Sequence, residues 1–148
     1  MKKFNFALAA LLLLAPAGAH AATGTANFSG TIAAICILTS GAAGVITPNS
    51  TYTTLSSTNT GGFASTLTAI STGTAFTVAT DAPTGITADT LSSSYSLSGS
   101  TSASNVSGST QTTLNAGTTA VSVNMVAAKT SGNFASGNYA ATVTVRCE

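Results

Sequence analysis

Charge is nearly missing from this sequence: lysine, arginine, aspartate and glutamate together make up 5% of its 148 residues. Nucleic-acid binding depends on clustered cations that displace condensed counterions, and beyond Lys2 and Lys3 the chain has only the isolated Lys129 and Arg146. That class of partner is set aside. Tryptophan is absent, and the single histidine is His20. General acid–base catalysis asks for a group that titrates near working pH within hydrogen-bond reach of a substrate. The abundant Ser and Thr hydroxyls are poor nucleophiles without a neighbouring base. Asp81, Asp89 and Glu148 are scattered along the chain. The two aspartates read as turn residues that hydrogen-bond their own backbone, and a calcium site there would need about six oxygen ligands or more. No catalytic residue, metal site or cofactor is expected, and the protein reads as a non-enzyme.

The N-terminus has the three zones of a secretory signal peptide. Lys2 and Lys3 supply positive charge, residues 6–15 form an apolar run, and Ala19-His20-Ala21 is a small-x-small cleavage signal. Residues 1–21 are read as the leader, with cleavage after Ala21, and residues 22–148 as one domain. The apolar run is shorter than the roughly 20 residues that span a bilayer, and no second such run follows, so the mature chain is expected to lack a transmembrane segment. It is expected to be secreted, periplasmic or at the cell surface. Without Lys2 and Lys3 the mature chain is close to neutral, which suits a protein that assembles, because little net repulsion keeps copies apart.

Ser, Thr and Gly dominate what remains, yet disorder is not indicated, since disordered chains combine low hydrophobicity with high net charge. The apolar residues instead recur with period two, placing every second side chain on one face of a strand. Ala26, Phe28, Gly30, Ile32, Ala34, Cys36 and Leu38 share one face near the start, and Tyr139, Ala141, Val143, Val145 and Cys147 do so at the end. Between them, residues 63–70 and 74–80 read as strands joined in a hairpin by Ser71-Thr72-Gly73. Leu91, Ser93, Tyr95 and Leu97 alternate next, as do Val121, Val123, Met125 and Ala127; a weaker strand over residues 44–55 is interrupted at Pro48, and residues 98–110 form a long Ser/Gly-rich loop. About seven strands at this spacing, with no amphipathic helix, predict an all-β, immunoglobulin-like β-sandwich. An exported membrane barrel would share the length and alternation, but too few aromatics are present for its interfacial girdles. The N-x-S/T triplets at Asn27, Asn49 and Asn105 and the Thr-x-Thr triplets such as Thr66-Leu67-Thr68 arise freely in such a composition and read as strand and turn chemistry.

Two cysteines, an oxidising compartment and apolar-face positions for both predict a Cys36–Cys147 disulfide tying the first strand to the last. The closed loop of about 110 residues corresponds to about 4–5 kcal/mol in the chain-entropy picture. Intermolecular pairing and free buried thiols are the competing arrangements.

Phe28-Ser29-Gly30-Thr31-Ile32 leading to Cys36, together with the closing Gly137-Asn138-Tyr139-Ala140-Ala141-Thr142-Val143-Thr144-Val145, resembles the first and last strands of the pilin-like exported β-sandwich subunits. These include chaperone-usher fimbrial subunits and the spore coat protein U type. The resemblance implies a non-enzymatic subunit of a surface fibre or extracellular matrix that self-associates by strand pairing, with Ala26, Phe28, Gly30 and Ile32 as the inward residues of a donor or edge strand. It implies as partners copies of itself or related subunits, and a periplasmic assembly chaperone. The chain departs from the fimbrial pattern in placing its second cysteine next to last and in ending on Cys147-Glu148 rather than near an aromatic residue. A self-complete sandwich closed by its own disulfide therefore stands beside strand donation. The alternative function is a monomeric secreted adhesion module that recognises a surface or a carbohydrate through its loops, with residues 98–110 the longest.

Overall fold

The computed structural model describes residues 22–148; the leader read over residues 1–21 lies outside them. The chain divides into a compact unit, Thr31–Glu148, and a preceding stretch through Gly30. Among the described residues there is no helix. Ten strands form instead: β1 (Cys36–Ser40), β2 (Thr47–Pro48), β3 (Thr54–Ser56), β4 (Ser65–Ser71), β5 (Thr77–Thr80), β6 (Thr90–Gly99), β7 (Ala103–Ser107), β8 (Thr112–Thr113), β9 (Gly117–Ala128) and β10 (Val145–Cys147). They build two antiparallel sheets that enclose the core, a β-sandwich. The larger sheet joins β1, β2, β3, β4, β6, β7 and β9, and the smaller runs β10-β5-β8.

The long strand β9 organises the larger sheet. Along one edge it pairs with β6 from Thr119 to Ala128; along the other it pairs first with β4 and then with β3. Its alternation is the one legible in the sequence: Val121, Val123, Met125 and Ala127 are buried while Ala120 is exposed and Ser122 and Asn124 are half-buried. These inward residues run through both apolar clusters of the core. One contains Val121 and Val123 with Ala69, Val78, Tyr95, Leu97 and Leu114; the other contains Met125 and Ala127 with Leu55, Ile86 and Phe134. The core thus follows a single strand because period-two side chains from one continuous backbone face the same way.

Polar contacts join the layers. Tyr95 projects from β6 through the core, fully buried, and its hydroxyl lies 2.9 Å from the Val78 carbonyl, 2.7 Å from the Thr110 carbonyl and 2.7 Å from Thr112 Oγ1. Gly108 makes a second link: its carbonyl accepts from Thr80 N of β5 at 2.8 Å and its N–H donates to Ser93 O of β6 at 2.9 Å. A side chain there would strike the Thr80 and Ser93 hydroxyls, themselves 2.8 Å apart, so only glycine fits this crossing.

Four sequence expectations are corrected. The first strand begins at Cys36, not near Ala26. Strand β4 ends at Ser71, opposite Cys36, and the chain then turns. The Thr72 hydroxyl binds the last of the approaching backbone, accepting from Ile35 N at 2.8 Å and donating to Ala33 O at 2.7 Å, so the β1–β4 ladder does not extend before Cys36. The residues around Ser71-Thr72-Gly73 are not a hairpin, because β4 belongs to the larger sheet and β5 to the smaller; the turn carries the chain across the sandwich. Residues 98–110 are not one loop, since they contain β7, which pairs back onto β6. The strand number is ten rather than about seven, the weak strand at Pro48 being split into the short β2 and β3 and the additional β7 and β8 being short.

Replacing Tyr95 with Phe keeps the ring but removes the one hydroxyl that the Val78 and Thr110 carbonyls and Thr112 Oγ1 surround, leaving buried polar groups short of a partner. Chemical denaturation of Tyr95→Phe is expected to show a loss of about 1–3 kcal/mol, the range for stranding a buried polar group. A loss near zero would mean that another donor takes over.

Candidate functional site

The predicted disulfide is present: Cys36 and Cys147 are bonded within the chain, with Cα atoms 6.3 Å apart and a sequence separation of 111. It joins an edge strand of each sheet. Strand β1 pairs with β4 alone and β10 with β5 alone.

From that bond the two edges run on as facing backbones. On the larger sheet the chain continues past β1, where Gly41 N donates to Thr66 O at 2.8 Å and Val45 and Phe63 exchange bonds of 2.9 and 3.0 Å. On the smaller sheet, Glu148 and Thr77 exchange bonds, Asp81 N donates to Thr144 O at 2.9 Å, and Thr142 and Thr84 exchange bonds of 2.9 Å in both directions. Even-numbered residues of the C-terminal segment thus spend their backbone groups on the β5 side. Backbone groups alternate in direction along an extended chain, so those of Ala141, Val143 and Val145 face the opposite edge, where no described strand pairs.

A cleft of about 530 Å³ opens between these edges. One wall is residues 43–46, the other residues 139–145, and the floor is Leu67 of β4 with Val123 and Met125 of β9. Gly44 lets the first wall lie close to β4, since a Cβ there would stand 2.7 Å from Ser65 N. The alternation read at the C-terminus is realised here: Ala141, Val143, Val145 and Cys147 are half-buried and the residues between them exposed. Nothing in the sequence marked residues 43–46 as a wall, because Ala43 and Gly44 carry too little side chain to show a period.

The proposed donor residues Ala26, Phe28, Gly30 and Ile32 lie in no strand. Phe28 is 95% exposed and Ile32 83% exposed, a large departure for side chains of that size. Burying either would contribute about 1.5–3 kcal/mol.

The acidic residues do not come together as a pair. Asp81 sits 2.9 Å from Arg146, which also reaches Glu148 at 3.0 Å, on the surface of the smaller sheet. Asp89 does not bond its own backbone as the sequence suggested; its carboxylate accepts from Thr130 N at 2.6 Å and the Thr130 hydroxyl at 2.7 Å, 41 positions along the chain. No group of three or more His, Cys, Asp or Glu side chains is arranged to hold a metal among the described residues, and no helix among them is long and apolar enough to cross a membrane. Comparison with known proteins adds no relative: no family model, no curated protein and no solved structure matches the chain.

Two outcomes follow from these contacts. The paired variant Cys36→Ser, Cys147→Ser is expected to unfold more easily by up to about 4–5 kcal/mol, with the fastest gain in amide exchange in residues 142–148. Equal stability of the oxidised and cysteine-free proteins would show that the edges hold without the bond. The second concerns pH. The Thr130 hydroxyl, and after it the Thr130 N–H, holds the Asp89 carboxyl below its ordinary value. A depressed folded-state value stabilises the protein above the unfolded-chain pKa of about 3.9 and is lost as pH falls through the lower folded value. Asp89→Asn should therefore be less stable than the parent at neutral pH, with the difference shrinking as the solution is acidified below pH of about 4. A difference independent of pH would assign the effect to the hydrogen bonds alone.

Proposed function

We propose that this protein is a non-enzymatic exported structural subunit that assembles with its own copies by strand pairing, the N-terminal segment of one copy entering the cleft of the next. One observation carries the reading: a cleft with an open backbone edge along residues 141–145 and Leu67, Val123 and Met125 on its floor occurs in the same chain as a segment of alternating apolar residues that lies in no strand. Residues 26–32 match residues 139–145 in length, so one extended segment can run the length of the wall. Inserted there, its backbone would bond to the edge left open by Ala141, Val143 and Val145, and Phe28 and Ile32 would leave water for the floor of Leu67, Val123 and Met125. Main-chain bonds give such an added strand its affinity, and pockets for alternate side chains give its specificity.

The near-absence of charge supports the same reading, because neither edge of the cleft carries the lysines with which soluble sheets guard themselves against pairing. The resemblance to pilin-like subunits of the chaperone-usher and spore coat protein U types extends it. In that reading the sandwich is of the immunoglobulin-like sort, and residues 1–21 direct export to the periplasm, the cell surface or the medium. A periplasmic chaperone would cover the cleft until assembly, and the product would be a surface fibre or matrix with a role in adhesion. For the alternative of a monomeric module that recognises a surface or a carbohydrate through its loops, residues 98–110 offer less support than the sequence suggested, since that stretch contains strand β7 and its connections.

The test uses two variants of the mature protein. Phe28→Asp with Ile32→Asp disables the segment, and Val45→Arg blocks the cleft. The parent is expected to form oligomers or fibres by size-exclusion chromatography and electron microscopy, while each variant alone stays folded and monomeric, with an unfolding midpoint below that of the assembled parent. Mixing the two should restore only heterodimers, because one intact segment and one intact cleft remain between them. A parent that stays monomeric at high concentration, or variants that assemble as it does, would refute strand insertion.

A further inference from the structure

A second hollow, of about 570 Å³, lies where the turn at residues 49–54 meets residues 134–139. That volume falls within the range of about 300–1,000 Å³ typical of small-molecule sites. Tyr52, Phe134 and Tyr139 converge on it, with Pro48, Leu55 and Asn138. In a protein that is 6% aromatic, three rings around one hollow are a local concentration.

The turn that carries Tyr52 is tightly held. The Asn49 side chain uses both ends of its amide: its oxygen accepts from Thr53 N at 3.0 Å and Thr54 N at 3.1 Å, and its nitrogen donates to the Thr51 and Thr53 hydroxyls at 3.0 and 3.1 Å. Phe134 N donates to Tyr52 O at 2.8 Å and Lys129 N to Thr53 O at 2.9 Å, which ties the turn to the facing stretch. The facing stretch is braced in turn. The Tyr139 hydroxyl donates to Ala135 O at 2.7 Å, and the Phe134 and Tyr139 rings meet edge to face with centroids 5.5 Å apart.

Within this frame Tyr52 has a φ of 56°, the left-handed conformation that suits glycine or asparagine and that a bulky side chain adopts at a cost. The residue is 56% exposed, so burial in the core does not account for a tyrosine here. The frame thus holds a partly exposed tyrosine in the lining of the hollow. No lining residue is charged. The nearby Lys129 ammonium is already engaged, 5.1 Å from the Phe134 ring centroid and 3.2 Å from Asn133 O. Such a lining accepts an uncharged ligand that offers a flat C–H face to a ring and hydroxyl groups to an amide.

We propose that this hollow binds a neutral pyranose-containing glycan, with Tyr52 as the stacking face and Asn138 as the hydrogen-bonding group at the rim. The site is separable from strand insertion, because Tyr52, Pro48, Phe134 and Asn138 line this hollow and not the cleft, although Ile46 and Tyr139 line both. Subunit assembly and glycan capture can therefore fail independently.

The experiment is a titration of the mature protein with cellobiose, lactose and N,N′-diacetylchitobiose, and with glucuronic acid as a charged counterpart, followed by amide chemical shifts. At least one neutral disaccharide is expected to move the signals of Tyr52, Phe134 and Asn138, with glucuronic acid binding more weakly. Tyr52→Ala should weaken binding by about tenfold or more, the scale of a lost aromatic contact, while Tyr52→Phe retains it. Tyr52→Asn guards against a folding artefact: it suits the left-handed backbone, so its unfolding midpoint should equal or exceed the parent's while binding is lost. The proposal is overturned if none of the neutral sugars shifts these signals, if the shifts cluster elsewhere, or if Tyr52→Ala or Tyr52→Asn binds as the parent does.

Discussion

The Cys36–Cys147 bond is the covalent tie between the two sheets, and what the cleft can do depends on where that tie sits. It fastens one end of two backbone edges that otherwise share no ladder, β1 belonging with β4 and β10 with β5. Beyond it the edges diverge around an apolar floor. A bond at the middle of these edges would have closed the cleft to any added strand, and without a bond the edges would be held only through their own sheets. Placed at the end, the disulfide limits how far the sheets can separate while leaving the length of residues 139–145 open. Because Cys36 is itself the first residue of β1, the bond fixes the chain just after the segment proposed to leave it, so donation of that segment does not require the bond to break.

With so few charges, hydroxyls and amides do the work that ion pairs do elsewhere. Ser56 and Ser57 pin β3 to β9: Ser56 Oγ donates to Met125 O at 3.1 Å, and Ser57 Oγ accepts from Met125 N at 3.1 Å while donating to Asn124 Oδ1 at 2.8 Å. Asn59 donates to Thr47 O at 2.7 Å, and Thr101 accepts from Asn115 N at 2.7 Å. No buried side-chain polar atom among the described residues lacks a partner. Short hydroxyl side chains lose little rotamer freedom when they are fixed, and they avoid the desolvation penalty of a buried ion. The same choice leaves the surface without the repulsion that keeps soluble sandwiches apart.

The sequence was most readable where one strand has one buried face. Alternation in β6, β9 and the C-terminal segment located Tyr95, Val121, Val123, Met125, Val143 and Val145 on the correct side. Period two says which face is buried but not which sheet a strand joins, so the crossing at Ser71-Thr72-Gly73 passed for a hairpin. Strand β7 was hidden for a different reason. Its half-buried residues Ala103 and Val106 lie opposite Leu97 and Tyr95 with an extra residue between them, a bulge at which Asn105 takes a φ of 48°. Such a bulge breaks the period on which recognition rests. The hollow at Tyr52 had no sequence signal either, since its rings come from stretches far apart in the chain and meet only after folding.

The N-terminal segment presents the opposite problem: its alternation is strong, yet it forms no strand in its own chain. Alternation records a demand for one apolar and one polar side, and it does not say which backbone meets the demand. In residues 26–32 the apolar set is Ala26, Phe28, Gly30 and Ile32, and the set between them is Asn27, Ser29 and Thr31. A slip of one residue in a cleft with an apolar floor would turn Asn27, Ser29 and Thr31 inward and Phe28 and Ile32 outward, so the pattern specifies register as well as pairing. A segment selected only for solubility would not need that order, and an exposed phenylalanine and isoleucine work against solubility. In the proposed strand insertion the segment and the cleft are the two halves of one contact, and because both belong to every copy, that contact would be heterologous. Under the proposed insertion, such a contact repeated from copy to copy without closing would generate a fibre, whereas reciprocal exchange between two copies would stop at a dimer.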